Sequence, residues 1–356
     1  MTSVLCCCLA VAVAMTSGQE TAPGQGEIKG CTYRLEPEFN PGGDFKGLMS
    51  WIRGRNVKRL QCSNFSDDYV PFVEAYRDVK FIELAGNFTK VSFDSRYLEV
   101  EDVSLELGGA TKELSFASFR YFKNLEKITI RTRSRDVASR SVVYLGGVGV
   151  LEKVLEIDLR GNSVASIVGG SFKKSFPNLK QLYLNENALA EFSFDSVPER
   201  ISLLNVAQNQ ITELGAMDAL KNFNKLTILE ARDNLLSAFD FSYLPDHKMS
   251  VSLMNNRITD AGLDGLLQTR ASKVSLDFSQ NPINCDCKML DSFVSLIRQK
   301  KLECRSWKCF NCAADSKLGD HRDLFDDGRW PRPKEAKKYL RKTIAALKKL
   351  KRSECE

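Results

Sequence analysis
Histidine is all but missing from this chain, which holds only His247 and His321 in 356 residues. That leaves little material for imidazole acid–base work or for zinc ligation. The phosphate-cradling Gly-x-x-x-x-Gly-Lys loop, the His-Glu-x-x-His zinc helix and the Gly-x-Ser-x-Gly nucleophile turn are all absent. The reading is therefore no enzyme and no cofactor. Long apolar runs are also missing. The longest is Val4 to Met15, and Val142 to Leu151 is shorter still; a membrane-crossing helix needs about 20 such residues. The charged C-terminus lacks the apolar tail of a lipid-anchor signal. Cysteine is absent from the whole stretch between Cys62 and Cys285.

The cysteines that are present sit at the ends. Cys6, Cys7 and Cys8 fall in the apolar start, followed by the small residues Thr16, Ser17 and Gly18. Residues 1–18 read as a secretory signal peptide, although no Lys or Arg precedes the apolar run. Eight cysteines then remain: Cys31, Cys62, Cys285, Cys287, Cys304, Cys309, Cys312 and Cys355. An even number clustered at two ends points to disulfides in an oxidising compartment, so the expected location is secreted and extracellular. Zinc binding by Cys309-Phe-Asn-Cys312 is disfavoured for the same reason. Secretion also argues against nucleic acid as a partner.

Between the cysteine clusters one phrase recurs. Val154, Ile157, Leu159, Asn162 and Val164 set its spacing. Leu179, Leu182, Leu184, Asn187 and Leu189 repeat it, as do Ile201, Leu204, Val206, Asn209 and Ile211. Leu226, Leu229, Ala231, Asn234 and Leu236 follow. Then come Val251, Leu253, Asn256 and Ile258, and last Leu276, Phe278, Asn281 and Ile283, with Lys248 and Lys273 where a first apolar residue is expected. The asparagines are 25, 22, 25, 22 and 25 residues apart. This pattern resembles the leucine-rich repeat, L-x-x-L-x-L-x-x-N-x-L. The resemblance implies an α/β leucine-rich repeat solenoid, a horseshoe with disulfide-capped ends. Each Leu-x-Leu core is a short strand with alternate residues inward, and only stacked neighbours can bury that face. The Asn amides are expected to serve backbone groups that water cannot reach. Phe172, Phe176, Leu220 and Phe223 should pack under the strands.

The resemblance also orders the rest of the chain. Residues 19–30 read as a flexible leader and 31–65 as an N-terminal cap closed by Cys31 and Cys62, with Cys62 at a second-leucine position. Residues 66–283 hold about nine repeats. Of the early ones, Val79, Ile82, Leu84 and Asn87 fit well, Val100, Val103, Leu105 and Gly108 lack the Asn, and Leu125, Ile128, Ile130 and Arg133 depart after the strand. An insertion follows Arg133, polar from Ser134 to Ser141. Two glycosylation sequons occur, Asn64-Phe-Ser66 and Asn87-Phe-Thr89. Because Asn87 stands at a ladder position, it is read as structural and Asn64 as the glycan acceptor. Asn281-Pro-Ile-Asn-Cys285-Asp-Cys287, an apolar-periodic segment through Leu290, Phe293, Leu296 and Ile297, and then Cys304 resemble the C-terminal cap of secreted leucine-rich repeat proteins, here 284–330. Cys304 is a first partner; the second is open among Cys309, Cys312 and Cys355.

Residues 331–356 read as a basic amphipathic helix. Lys334 to Arg352 holds nine Lys or Arg, among them Lys337, Lys338, Arg341, Lys342, Lys348 and Lys349, against Glu335 alone. That net +8 exceeds the +6 of the whole chain, so the remainder is slightly acidic. The helix could cover the cap, pair with a partner chain as a dimer, or meet anionic glycans and surfaces. Binding by the solenoid itself should use outward strand residues. The middle column reads Glu83, Ser104, Thr129, Asp158, Tyr183, Asn205, Glu230, Ser252 and Asp277, and the next includes Glu106, Arg131, Arg160, Asn185, Arg232 and Met254. Tyr and Arg are frequent contact hot spots, and Asp158, Arg160, Tyr183, Asn205, Glu230 and Arg232 are the expected ligand-binding residues. The chain is loosely similar to the short secreted leucine-rich repeat immune proteins of insects. That similarity implies protein binding in innate immunity; cell adhesion or matrix binding through the basic helix is the alternative.

Overall fold
The computed structural model describes residues 25–28, 31–34, 59–65, 69–70 and 78–304, less 94, 96, 109–111, 134–140, 271–272 and 278. The expected signal peptide, Cys309, Cys312, Cys355 and the basic helix with its six named Lys and Arg residues lie outside the described residues. Two compact units result, Met1–Leu182 and Tyr183–Glu356.

In the first unit the expected leader contributes a strand, since Gln25–Ile28 pairs antiparallel with Cys31–Arg34. Parallel strands follow at Arg59–Phe65, Phe81–Gly86, Asp102–Leu107, Lys127–Thr132 and Glu156–Asp158. Their register aligns Cys62 with Leu84, the second-leucine position, and Leu84 with Leu105 and Ile130. Ile82, Leu84, Val103, Leu105, Ile128, Ile130 and Ile157 are buried, and the residues between them face outward. A second parallel sheet joins Glu113–Ser115, Ser141–Tyr144 and Val164–Val168. The insertion expected between Arg133 and Leu151 therefore contributes a paired strand.

The three early strands run six residues, whereas Glu156–Asp158 runs three. The difference follows from the Asn. At Asn162 the chain leaves the strand through Gly161, whose φ of 70° lies in the left-handed region. That bend turns the amide inward, where Nδ2 donates to the Ile130 and Leu159 carbonyls at 2.8 Å each. Without such a bend the early strands simply continue, and the two-residue alternation carries on past them. Asn87 is therefore exposed, between buried Gly86 and buried Phe88. The expectation that it fills a buried ladder position is overturned.

In the second unit Leu203–Asn205, Ile228–Glu230, Met249–Ser252, Val274–Asp277 and Leu302–Cys304 are parallel neighbours. The last pairing aligns Cys304 with Leu276, so the sheet continues one strand beyond Ile283 into the cap. Lys248 is exposed because Met249 takes the inward position one residue later, and Val274 does the same after Lys273. The repeat asparagines form a ladder, in which Asn187 donates to the Leu184 carbonyl at 2.9 Å. Asn209 donates to Leu184 and Val206 carbonyls at 3.0 Å, and its Oδ1 accepts from the Leu189 N–H. Asn234 serves Val206 and Ala231 and accepts from Ile211. Asn256 and Asn281 repeat the arrangement, accepting from Leu236 and Ile258. The residue before each, Gln208, Asp233, Asn255 or Gln280, takes a φ of 53–59°.

The return segments supply the aromatic core. Phe116, Phe119, Phe122, Phe172 and Phe176 are buried in the first unit, and Phe194, Phe223 and Phe241 in the second. Phe194 meets Phe223 edge-on, with centroids 5.9 Å apart. Burying one such ring is worth about 2–3 kcal/mol. Their elements alternate in size. The longer spacings carry the six-residue helices Met217–Asn222 and Leu263–Gln268, and the shorter ones the three-residue turns Phe194–Ser196 and Phe241–Tyr243. A cap helix, Cys287–Arg298, starts where the Asp286 carboxylate accepts from the Met289 N–H at 2.7 Å, and buries Phe293, Leu296 and Ile297. Repeated parallel strands, an Asn ladder and short return elements over one core make this a leucine-rich repeat solenoid. Among the described residues no helix is long and apolar enough to cross a membrane.

Candidate functional site
Outward residues of the first unit's sheet stand in register as ladders of mixed charge. One row runs Arg59, Phe81, Asp102, Lys127, Glu156, and the next Gln61, Glu83, Ser104, Thr129, Asp158. Opposite charges meet across the strands. Lys127 lies 3.0 Å from Glu156, Arg133 lies 2.6 Å from Glu106, and Arg59 stacks over Phe81 at 4.9 Å while lying 3.9 Å from Glu83. Asp102 titrates above the usual carboxylate value, because burial raises it by more than Lys127 and Arg59 lower it.

Asp158 anchors the far end of these rows. Its side chain is only 5% exposed, and both oxygens are held, by Arg131 at 2.8 and 2.5 Å and by Arg160 at 2.7–3.0 Å. Burial alone would raise its pKa. The hydrogen bonds from Arg131 and Arg160 outweigh burial and hold it below the ordinary 3.8. The sequence placed Asp158 and Arg160 among ligand contacts. In the structure the carboxylate is buried and is a fixture for two partly exposed guanidiniums, not an acidic contact.

The other four expected residues belong to the second unit. Tyr183, Asn205 and Glu230 are half-buried, and all three lie in the outward column. Asn205 and Glu230 stand in register, continued by Ser252 and Asp277. The Asn205 Oδ1 accepts from the Ala207 N–H, which fixes the amide. Arg232 donates to Asp233 at 2.6 Å, and Asp233 also accepts from Asn255 at 2.8 Å. Sequence reasoning missed Leu203 and Ile228. They are register partners and half-buried on the same face as Asn205 and Glu230, where the next two strands carry Ser250 and Ser275. The signal was present: each stands one residue before an inward leucine, a position that period-two alternation turns outward.

A depression of about 240 Å³ in the second unit is lined by Thr259, Asp260, Asp264, Asn284, Asp286 and Lys288, with Lys288 and Asp264 paired at 3.0 Å. Among the described residues no group of three His, Cys, Asp or Glu side chains could hold a metal ion. Cys285 and Cys287 are both disulfide-bonded.

No family model and no curated protein matches this sequence. Solved structures do resemble it. The mouse RP105/MD-1 complex is similar over 65% of this chain and 40% of its own, at 15% identity and a TM-score of 0.46. InlP of Listeria monocytogenes is similar over 61% and 56%, at 21% identity and 0.41. Human 5T4 (Wnt-activated inhibitory factor 1, trophoblast glycoprotein) is similar over 75% and 92%, at 18% and 0.40. The chain thus spans about half the length of the first two or less. The assignment of the fold rests on the register, ladder and core described above.

Proposed function
We propose that this chain is a secreted, non-enzymatic recognition protein that binds a protein ligand through the outward strand face of its second unit, in innate immunity. The observation that carries the reading is the pair Leu203 and Ile228. They present aliphatic surface outward on the two strands that also carry Asn205 and Glu230, in the unit that holds Tyr183 and Arg232. Apolar surface ringed by polar groups is the usual anatomy of a protein-binding patch. The first unit's face supports the reading by contrast. Its charges are matched across neighbouring strands, and a ligand there must displace existing ion pairs. Disulfide bonding of Cys285 and Cys287 favours an oxidising compartment.

The test exchanges Leu203→Ser and Ile228→Ser together. Serine already occupies the same register at Ser250 and Ser275, so the fold tolerates it. Capture of soluble defence proteins or microbial surfaces by the full chain should weaken at least about tenfold, the cost of roughly 1.4 kcal/mol of lost contact. Undiminished binding by the doubly substituted chain would rule out this face. A second reading, adhesion to cells or matrix, draws on the net +8 between Lys334 and Arg352. It expects binding that salt or sulfated glycan competes away and that a chain ending at Pro333 lacks.

A further inference from the structure
Asn87 has an unused chemical capacity. It follows the strand Phe81–Gly86, in the run Phe81, Glu83, Ala85, Asn87 whose members alternate with buried Ile82, Leu84, Gly86 and Phe88. Asn87 and Thr89 are exposed, and the residue between them is anchored in the core with 4% of its surface accessible. Sequence spacing alone gave this side chain to the buried ladder, where its amide would be consumed and sterically closed. The structure removes that objection. The backbone has no left-handed residue before Asn87 to swing it inward, in contrast to Asn162, Asn209, Asn234, Asn256 and Asn281.

We infer that Asn87 is an N-glycan acceptor. The Asn-Phe-Thr order supplies the hydroxyl two residues on that the transfer requires. In the reaction the Asn87 Nδ2 bonds to the anomeric carbon of a lipid-linked oligosaccharide. The sugar–phosphate bond breaks, the lipid diphosphate leaves, and the amide gives up one proton. The attached sugar covers the outward surface where the long strands of the first unit end. Protein ligands are thereby kept off that part of the face. The inference rests on passage through the secretory route, and the test separates the two.

The full chain is produced in cultured animal cells twice, once behind its own first residues and once behind an unrelated signal peptide. The secreted protein is digested with and without prior peptide N-glycosidase treatment, and the peptide carrying residue 87 is read by mass spectrometry. The expected result is Asn87 converted to Asp by the enzyme in the second product. Asn87→Gln and Thr89→Ala should each remove one glycan mass step, and Thr89→Ser should keep it. The unfolding midpoint of Asn87→Gln should not move, whereas a ladder substitution such as Asn234→Ala shifts it. Recovery of unmodified Asn87 from the chain secreted behind the unrelated signal overturns the inference. Failure of the native start alone to direct export counts against the secretion reading and leaves the result at Asn87 standing.

Discussion
At the residue scale, Asp158 is the side chain whose environment says most about the face it sits under. A carboxylate between two guanidiniums has its pKa depressed in the folded state. The sign of the linkage follows. The stabilisation is fully present above the unfolded value near 3.8 and is lost as pH falls through the lower folded value. Asp158→Asn should cost about 2 kcal/mol at neutral pH, in the range for hydrogen bonds to charged groups. In urea denaturation that difference should shrink toward zero as the pH is taken below 3.8; a deficit that persists undiminished would mean the ion pairs are not its source. The ladder asparagines are a second case. Asn234→Ala leaves two buried carbonyls and the Ile211 N–H without their partner. A loss of about 3 kcal/mol is expected, since one unsatisfied buried group alone costs roughly 1–3 kcal/mol. Calorimetry or denaturant titration measures it. This scale was also where the sequence was hardest to read. Asn234 was legible because few side chains both donate and accept in one compact group. Asn87 was misread because spacing shows which residue is third after a leucine but not whether the backbone bends before it. Asp158 looked like a contact because its outward column, not its closure by Arg131 and Arg160, was visible.

At the scale of the element, strand length and strand ending are set by the same bend. Gly161 and Gly108 make the contrast. Gly161 has φ of 70°, and a Cβ built there meets nothing within 4 Å. Its need for glycine is conformational alone, so Gly161→Ala should cost about 1–2 kcal/mol. Gly108 follows the strand Asp102–Leu107 at the place that Asn162 holds in the later repeat, and its φ is not positive. A Cβ there would lie 2.3 Å from the Gly86 carbonyl oxygen and 2.9 Å from the Asn87 Cα. Both obstacles are backbone, and Gly108→Ala should force the neighbouring strand ends apart. Thermal melts of the two variants should show the larger fall for Gly108→Ala; the reverse order would mean that the long strands are not packed this closely. The elements themselves were well read from sequence. Leucine spacing located the strands, and Phe172, Phe176, Leu220 and Phe223 are buried as expected. What spacing missed was the strand at Leu302–Cys304, since a cap carries no repeat signature. It also missed Leu203 and Ile228, since apolar residues in a strand are read as core until the alternation is counted.

At the scale of the molecule, the two units differ in what they offer. The first shows paired charges on its strand face and the second a mixture of aliphatic and polar groups. Replacing Leu203 and Ile228 should therefore impair binding while leaving the fold intact, and charge reversals at Glu83 or Lys127 should act on stability by no more than about 1 kcal/mol each, as surface ion pairs do. The alternation of six-residue and three-residue return elements has a further consequence, for how such a chain can change length. Asn187 and Asn234 are 47 residues apart, and so are Asn209 and Asn256. Two consecutive repeats, not one, restore the starting pattern. Excision of residues 209–255 joins the small element Phe194–Ser196 to the large one Leu263–Gln268, small beside large as before, and should yield a folded protein with a sharp unfolding transition. Excision of residues 209–233 alone sets the two small elements Phe194–Ser196 and Phe241–Tyr243 side by side and should broaden the transition or prevent folding. Within the second unit, the smallest piece that can be added or removed without disturbing the order of its return elements is then a pair of turns.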